Sequence, residues 1–254
     1  MPPVPPPAEG ARARARRELL REITDAARAQ LAEVGAAALS VRAVTRSLGM
    51  APSAVYRYFP NRDALLTALI TEAYTGLADA AEEAERGADR ADLLGRWLAV
   101  HRGVRGWALG HPHEYGLIYG SPVPGYAAPQ DTTAPASRVP LLLAAVAVDA
   151  WVAGHRAAGA GGADRVPEAL RADADALLAL ALARHPSGGA RDAGAVDPGV
   201  PLAVVDGWTE LYGCVSFELF GHYRGVLRDP GAHLDAVARR TAAAAGLPVE
   251  RPGR

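Results

Sequence analysis

Leu39-Ser-Val-Arg-Ala-Val-Thr-Arg-Ser-Leu-Gly-Met-Ala-Pro-Ser-Ala-Val-Tyr-Arg-Tyr-Phe-Pro-Asn-Arg-Asp-Ala-Leu65 is the stretch whose reading decides the fold. Ser40 is a good N-cap, and Val41, Val44 and Leu48 share one face of a short helix over 41–48. Gly49 can take the positive φ that a tight turn requires. Pro52 fits the first position of a second helix over 52–59, where its missing N–H leaves no bond unmade. Pro60 ends that helix, and Asn61 caps a longer one over 62–86. Two short helices joined by three residues containing a glycine have helix-turn-helix spacing.

The second helix of such a motif enters the major groove of DNA, so its outward residues must be small or polar and its inward ones must anchor it. Val55 and Phe59 are the anchors; Ser53, Ala54, Arg57 and Tyr58 can face out. Arginine and tyrosine donate to phosphates, which positions the helix without reading sequence.

The same stretch resembles the signature of the tetracycline-repressor (TetR) family, firmly over residues 16–70, and the Tyr-Arg-Tyr-Phe-Pro-Asn-Arg-Asp-Ala-Leu portion is its specific part. The resemblance implies an all-α protein with a three-helix helix-turn-helix domain, followed by a helical ligand-binding and dimerisation domain. It implies that Tyr56 and Tyr58 lie on the phosphate backbone, that Arg62 meets a phosphate and that Arg42 reaches DNA from the first helix of the motif. Pro52, Ser53 and Ala54 match the variable tip of the recognition helix. With Ser40 these complete the candidate DNA-binding set: Ser40, Arg42, Pro52, Ser53, Ala54, Tyr56, Arg57, Tyr58 and Arg62. One departure is Ala51, where many members carry a Ser or Thr cap. Another is the lack of a long polar side chain at 52–54. Base readout is therefore limited to Ser53, Arg57 and Arg42, with contact from Ala54 to a thymine methyl.

Outward from the motif, charge supports the reading. The chain has 254 residues and a net charge of −1, and all 27 basic residues are arginine. Residues 11–62 hold ten Arg against four acids, a basic head on an acidic body. Arg12, Arg14, Arg16 and Arg17 lie in that head, either as a solvated helix start or as an arm on DNA. Residues 14–34 read as a helix through Leu20, Ile23, Ala27, Leu31 and Val34. The proline-rich start, 1–11, reads as a disordered tail and lacks the features of a signal peptide. The expected domains are 12–61 for DNA and 62–254 for ligand and dimer. A single cysteine, Cys214, excludes a disulfide framework, and the longest apolar run is far too short to span a bilayer, so a cytoplasmic protein is expected. No phosphate-cradling glycine loop, clustered metal ligands or nucleophile motif argues for an enzyme, a cofactor or a metal.

The body reads as further helices over about 91–109, 112–119, 139–158, 167–184, 200–223 and 230–245, with a long loop at 121–138. Trp107-Ala-Leu-Gly-His-Pro-His-Glu-Tyr115-Gly-Leu-Ile-Tyr119-Gly resembles a segment of a TetR C-terminal subclass, the WHG type. Trp208-Thr-Glu-Leu-Tyr212-Gly213 falls where that subclass has Trp…His-Gly, with Tyr212 in place of the His. This implies that the last two helices pair with their twins across a two-fold axis and that earlier helices enclose an inducer cavity. The 200–223 helix is apolar nearly all round, and Ala238, Ala242 and Ala245 form a small-residue stripe for which a partner chain is the simplest cover. Candidate ligand residues are Trp97, His101, Trp107, Tyr115, Tyr119, Trp151, His155, Trp208 and Tyr212, each of which could equally be core. The expectation is a ligand-responsive repressor, a homodimer on a palindromic operator. The rivals are an enzyme, and a DNA-binding protein that answers to no small molecule.

Overall fold

The computed structural model describes residues 10–156, 166–184 and 196–249, and no strand occurs among them. The chain divides into two compact units: residues 1–73 with 113–132, and residues 74–112 with 133–254. The boundary expected at residue 61 falls in the turn before a long helix; the compact units divide inside that helix. The tail expected at 1–11 lies outside the described residues except Gly10 and Ala11, and Ala11 already begins α1.

In the first unit, α1 (Ala11–Val34) packs on α2 (Val41–Ser47), which packs on α3 (Pro52–Tyr56). The start of α4 (Arg62–Arg86) and α6 (Pro112–Tyr119) add Leu65, Leu66, Leu69, Tyr115 and Leu117 to the core. Ile23, Ala27 and Leu31 of α1 are buried, as their spacing requires, but Val34 is exposed. Asn61 does cap α4, its Oδ1 accepting the Ala64 N–H at 2.8 Å.

The second unit is built around α5 (Leu93–Gly110), which packs against α8 (Arg138–Val152), α10 (Gly199–Leu219) and α11 (Pro230–Ala244). A further helix, α9 (Arg171–Arg184), lies on α8 and α10. Asp92 and Asp229 cap α5 and α11 by accepting the N–H groups of Gly95 and Ala232 at 2.8 Å. Gly207 allows α10 to approach α5: a Cβ there would lie 2.8 Å from Cζ2 of Trp97. Beside it the Trp97 Nε1–H donates to Thr241 Oγ1 of α11 at 3.3 Å.

Several expectations are corrected. The loop at 121–138 holds a 3-10 turn at Gln130–Thr132, in which the Thr132 hydroxyl donates to the Pro129 carbonyl at 2.8 Å, and a short helix, α7 (Thr133–Ala136). Helix α8 stops at Val152 because Gly154 takes φ 87°. Helix α10 stops at Leu219, and a turn through Gly221 follows. The alanine stripe is not a seam between chains. Ala238, Ala242 and Ala245 are fully buried within the protomer, because α11 turns that face toward α5 and α10. Cys214 is buried too, and burial pushes its thiol above the ordinary range. No single helix among the described residues is long and apolar enough to cross a membrane.

Candidate nucleic-acid interface

The turn between α2 and α3 is built as its residues dictate. Leu48 closes α2, Gly49 takes φ 63°, and the Met50 N–H reaches back to the Thr45 carbonyl at 3.1 Å. Ala51 is extended, with no side chain to cap α3, and Pro52 occupies the first turn. The recognition helix is shorter than expected. It ends at Tyr56 with Arg57 as C-cap, although the Tyr58 and Phe59 N–H groups still bond the Val55 carbonyl at 2.9 Å. Pro60 lies next and cannot extend the ladder.

The faces separate by character. Val41, Val44, Val55 and Phe59 are buried, while Arg42, Arg46, Pro52, Ser53 and Arg57 are exposed. Tyr56 is about one-third exposed, and Ala54 and Tyr58 are half-buried. The Arg16 guanidinium stands over the Tyr58 ring, 5.8 Å from its centroid. Arg46 escaped the sequence reading, yet it lies four residues after Arg42, which puts both on one face of α2.

Two candidates are already engaged. Ser40 holds the N-cap position, but its hydroxyl makes no capping bond; its N–H is instead held by Gln30 Oε1 at 2.9 Å. Arg62 donates from Nη2 to the carbonyls of Ala36 and Ala37 at 2.8 and 3.1 Å, tying α4 to the segment before α2. Gln30 carried no signal in the sequence, since a glutamine on a helix is ordinarily a solvated residue.

The aromatic candidates of the body are spread over several places. Trp97 and His101 are fully buried in α5, 5.5 Å apart between ring centroids. The His101 Nδ1 lies 2.9 Å from the Trp97 carbonyl, Nε2 has no partner, and burial pushes the imidazole down to about 4. Trp107 stacks on His111 at 4.8 Å, and Trp208 meets Tyr212 edge-on at 6.1 Å. Tyr115 and Tyr119 pair at 5.2 Å within the first unit. His155 borders a cleft of about 690 Å³ together with Glu85, Arg90, Arg96 and Asp149. Trp151 alone of the nine borders a cavity of about 630 Å³ between α8, α9 and α10. Its other walls include Leu170, Leu177, Val200, Leu202 and Val205, with Asp173, Asp197 and Asp206. Those aliphatic positions look like ordinary core in a sequence, so nothing there marked them.

Known proteins agree with this architecture. The model for bacterial regulatory proteins of the tetR family matches residues 23–69, and that for the tetracyclin-repressor-like C-terminal domain matches residues 97–241. The HTH-type transcriptional regulator Rv1816 of Mycobacterium tuberculosis is 38% identical over 232 residues, 91% of this chain and 93% of its own. Among solved structures, regulatory protein SCO4313 is 29% identical, with a TM-score of 0.67 over 91% of this chain and 98% of its own. The fatty acid degradation regulator FadR from Bacillus halodurans shares the fold at 14% identity, with a TM-score of 0.58 over 90% of this chain and all of its own. With the helix-turn-helix in place and both halves of the chain matched, this protein belongs to the TetR family and is a transcriptional regulator that binds DNA through its N-terminal helix-turn-helix.

Proposed function

We propose that this regulator is a repressor, acting in the cytoplasm as a homodimer on a two-fold-symmetric operator and leaving it when a small molecule fills the body. The observation that carries the reading is the division of the helix-turn-helix into a buried apolar face and an outward face bearing Arg42, Ser53 and Arg57. Arg57 and Arg42 meet phosphates or guanine edges, Ser53 reaches a base, and Tyr56 and Tyr58 hold the backbone. Pro52 and Ala54 shape the tip, while Ser40 and Arg62 stand at its margin.

Dimerisation is supported by large apolar side chains that stand partly exposed on the protomer. Phe217, Phe220 and Val226, at the end of α10 and just beyond, are 51%, 46% and 73% exposed. A second copy related by a two-fold axis covers such a patch with itself. The cavity beside Trp151 has the size and apolar walls of a small-molecule site, and we assign the effector to it. Filling it shifts the population toward a dimer whose recognition helices stand at the wrong separation.

Selection from a random duplex library tests the reading. The enriched sequence should be a palindrome with half-sites about 34–36 Å apart or a multiple of that. Ser53→Ala or Arg57→Ala should relax the preference at one half-site position by about 1–3 kcal/mol. Sedimentation should give twice the 26.4 kDa protomer. No enriched sequence, or a clean monomer on DNA, would sink the proposal.

A further inference from the structure

Helix α1 begins about two turns before its first half-buried residues, Leu19 and Leu20. Residues 11–18 are all exposed, and the first buried residue is Ile23. At 1.5 Å per residue, α1 therefore runs about 18 Å before reaching its core. Residues 11–21 carry Arg12, Arg14, Arg16, Arg17 and Arg21 against one acid, Glu18.

This charge stands where it weakens the helix. The first turn holds no acidic residue, so Arg12 and Arg14 stand at the positive end of the helix dipole. Arg12 with Arg16, and Arg17 with Arg21, are like-charged pairs four residues apart, which repel. Among the described residues, Arg12, Arg14 and Arg21 meet no carboxylate. A polyanion would remove both penalties at once.

Geometry names the side on which it would lie. Turning about 100° per residue, Arg12 and Arg16 fall on the face that continues into buried Ile23 and Ala27. Arg14 and Arg21 point away from it, and Arg17 lies at its border near Thr24 and Leu31. On that inner face Arg16 stands over Tyr58, just past the recognition helix.

We infer that the overhanging turns of α1 are a second DNA-binding element, in which Arg12 and Arg16 grip backbone phosphates next to those held by Tyr58. The inference rests on the helix-turn-helix reading above and adds to it a sequence-independent grip. Phosphate contacts of this kind release counterions and raise affinity for every sequence alike.

The test compares two double variants that lose the same charge from the same helix. Arg12→Ala/Arg16→Ala empties the inner face; Arg14→Ala/Arg21→Ala empties the outer one. Alanine is the best helix former, so both keep α1, which circular dichroism checks. Affinity for a labelled duplex of random sequence is measured over a series of salt concentrations. The inner pair should flatten the slope of log affinity against log salt by about two units per protomer, and the outer pair by less than half of that. Ethylation interference should show one or two phosphates per protomer that matter to the parent and not to the inner-pair variant. An unchanged slope for the inner pair overturns the proposal. Equal effects from the two pairs also overturn it, since the charge would then act only at long range. Loss of binding to anionic vesicles, with DNA binding intact, would assign the overhang to a membrane and overturn it as well. Failure of the helix-turn-helix reading is separate: it shows as no enriched sequence in the selection, whatever the slopes do.

Discussion

The DNA-facing surface of the first unit and the helix contacts of the second treat arginine in opposite ways, although Arg28 in the first unit does pair with Asp25 and Glu72. In the first, Arg42, Arg46 and Arg57 are exposed and meet no carboxylate among the described residues. In the second, Arg96, Arg102 and Arg105 are cross-links. Arg96 joins Glu85 at 2.7 Å and Asp149 at 2.8 Å; Arg105 grips Glu218 through two bonds of 2.6 and 2.7 Å; Arg102 grips Asp235 through two of 2.6 and 2.9 Å. A surface that must attract phosphates cannot spend its cations on its own acids, so α2 and α3 need other anchors. They are seven and five residues long, far below the length at which a helix stands alone. Apolar anchors and two main-chain staples, from Gln30 and Arg62, hold the motif instead. The net charge of −1 hides this division.

The largest effect should come from breaking a cross-link in the body. Glu85 and Arg96 are both buried. Burial pushes the Glu85 carboxyl up, but hydrogen bonds from Arg90 and Arg96 more than reverse this and leave it below its ordinary value. Arg96→Met should cost about 2–4 kcal/mol in a urea titration, because buried Glu85 keeps only the half-exposed Arg90 and Asp149 loses its bond to Arg96. Adding Glu85→Gln should recover part of the loss, since the buried charge that Arg90 alone then balances goes with it. A cost under about 1 kcal/mol would mean that the body is held by its apolar core alone and that the contrast between the units is superficial.

The difference also explains what could be read from sequence. Gly49, Pro52, Pro60 and Asn61 punctuate the head, the first three through their own backbone and Asn61 through a side chain that reaches three residues on, so each effect is local and legible. In the body, α10 is apolar on nearly every side and α11 carries alanine on several, so periodicity does not say which face meets which neighbour. That choice is made by tertiary contact: Gly207 admits Trp97, and α5 covers Ala238 and Ala242. The aromatic residues drew attention as a ligand set, but Trp97 and His101 are core, and the cavity walls are mostly aliphatic.

His101 gives the next effect. Its imidazole is neutral in the fold, held down to about 4 by burial, against an ordinary 6.5. The unfolded chain therefore binds a proton that the fold refuses, so stability falls as pH drops from about 6.5 toward 4 and is unaffected above that window. That gap corresponds to about 3 kcal/mol at the acid end. His101→Leu should remove this part of the pH dependence while leaving stability near pH 8 within about 1.5 kcal/mol. Parallel curves for parent and variant from pH 7 to 4 would show that the ring is not buried in solution.

In the head, Val55→Ala removes an anchor from beneath α3. Two lost methyl groups and the cavity they leave should cost about 2 kcal/mol. Affinity for selected DNA should fall with it, because α3 is too short to persist unanchored. If stability fell while affinity stayed, DNA itself would be organising the recognition helix.

The smallest effect should come from the main-chain staple at Gln30, and it separates the two kinds of anchor most finely. The Gln30 side chain rises from α1 and accepts the N–H of Ser40, at the N-cap of α2. The Ser40 hydroxyl does not cap the helix, so this bond fixes where the motif starts. Gln30→Ala leaves the N–H partly buried without its acceptor and should cost about 1 kcal/mol. Gln30→Glu keeps an acceptor oxygen in place and should restore most of that stability, whereas Gln30→Leu keeps the bulk and should not. Amide exchange at Ser40 reads the bond directly: it should quicken in the Ala and Leu variants and stay slow in the Glu variant. Equal exchange and equal stability in all three would mean that packing around Val41 and Val44 alone sets the position of α2, and that the head, like the body, is placed by its side chains rather than through its backbone.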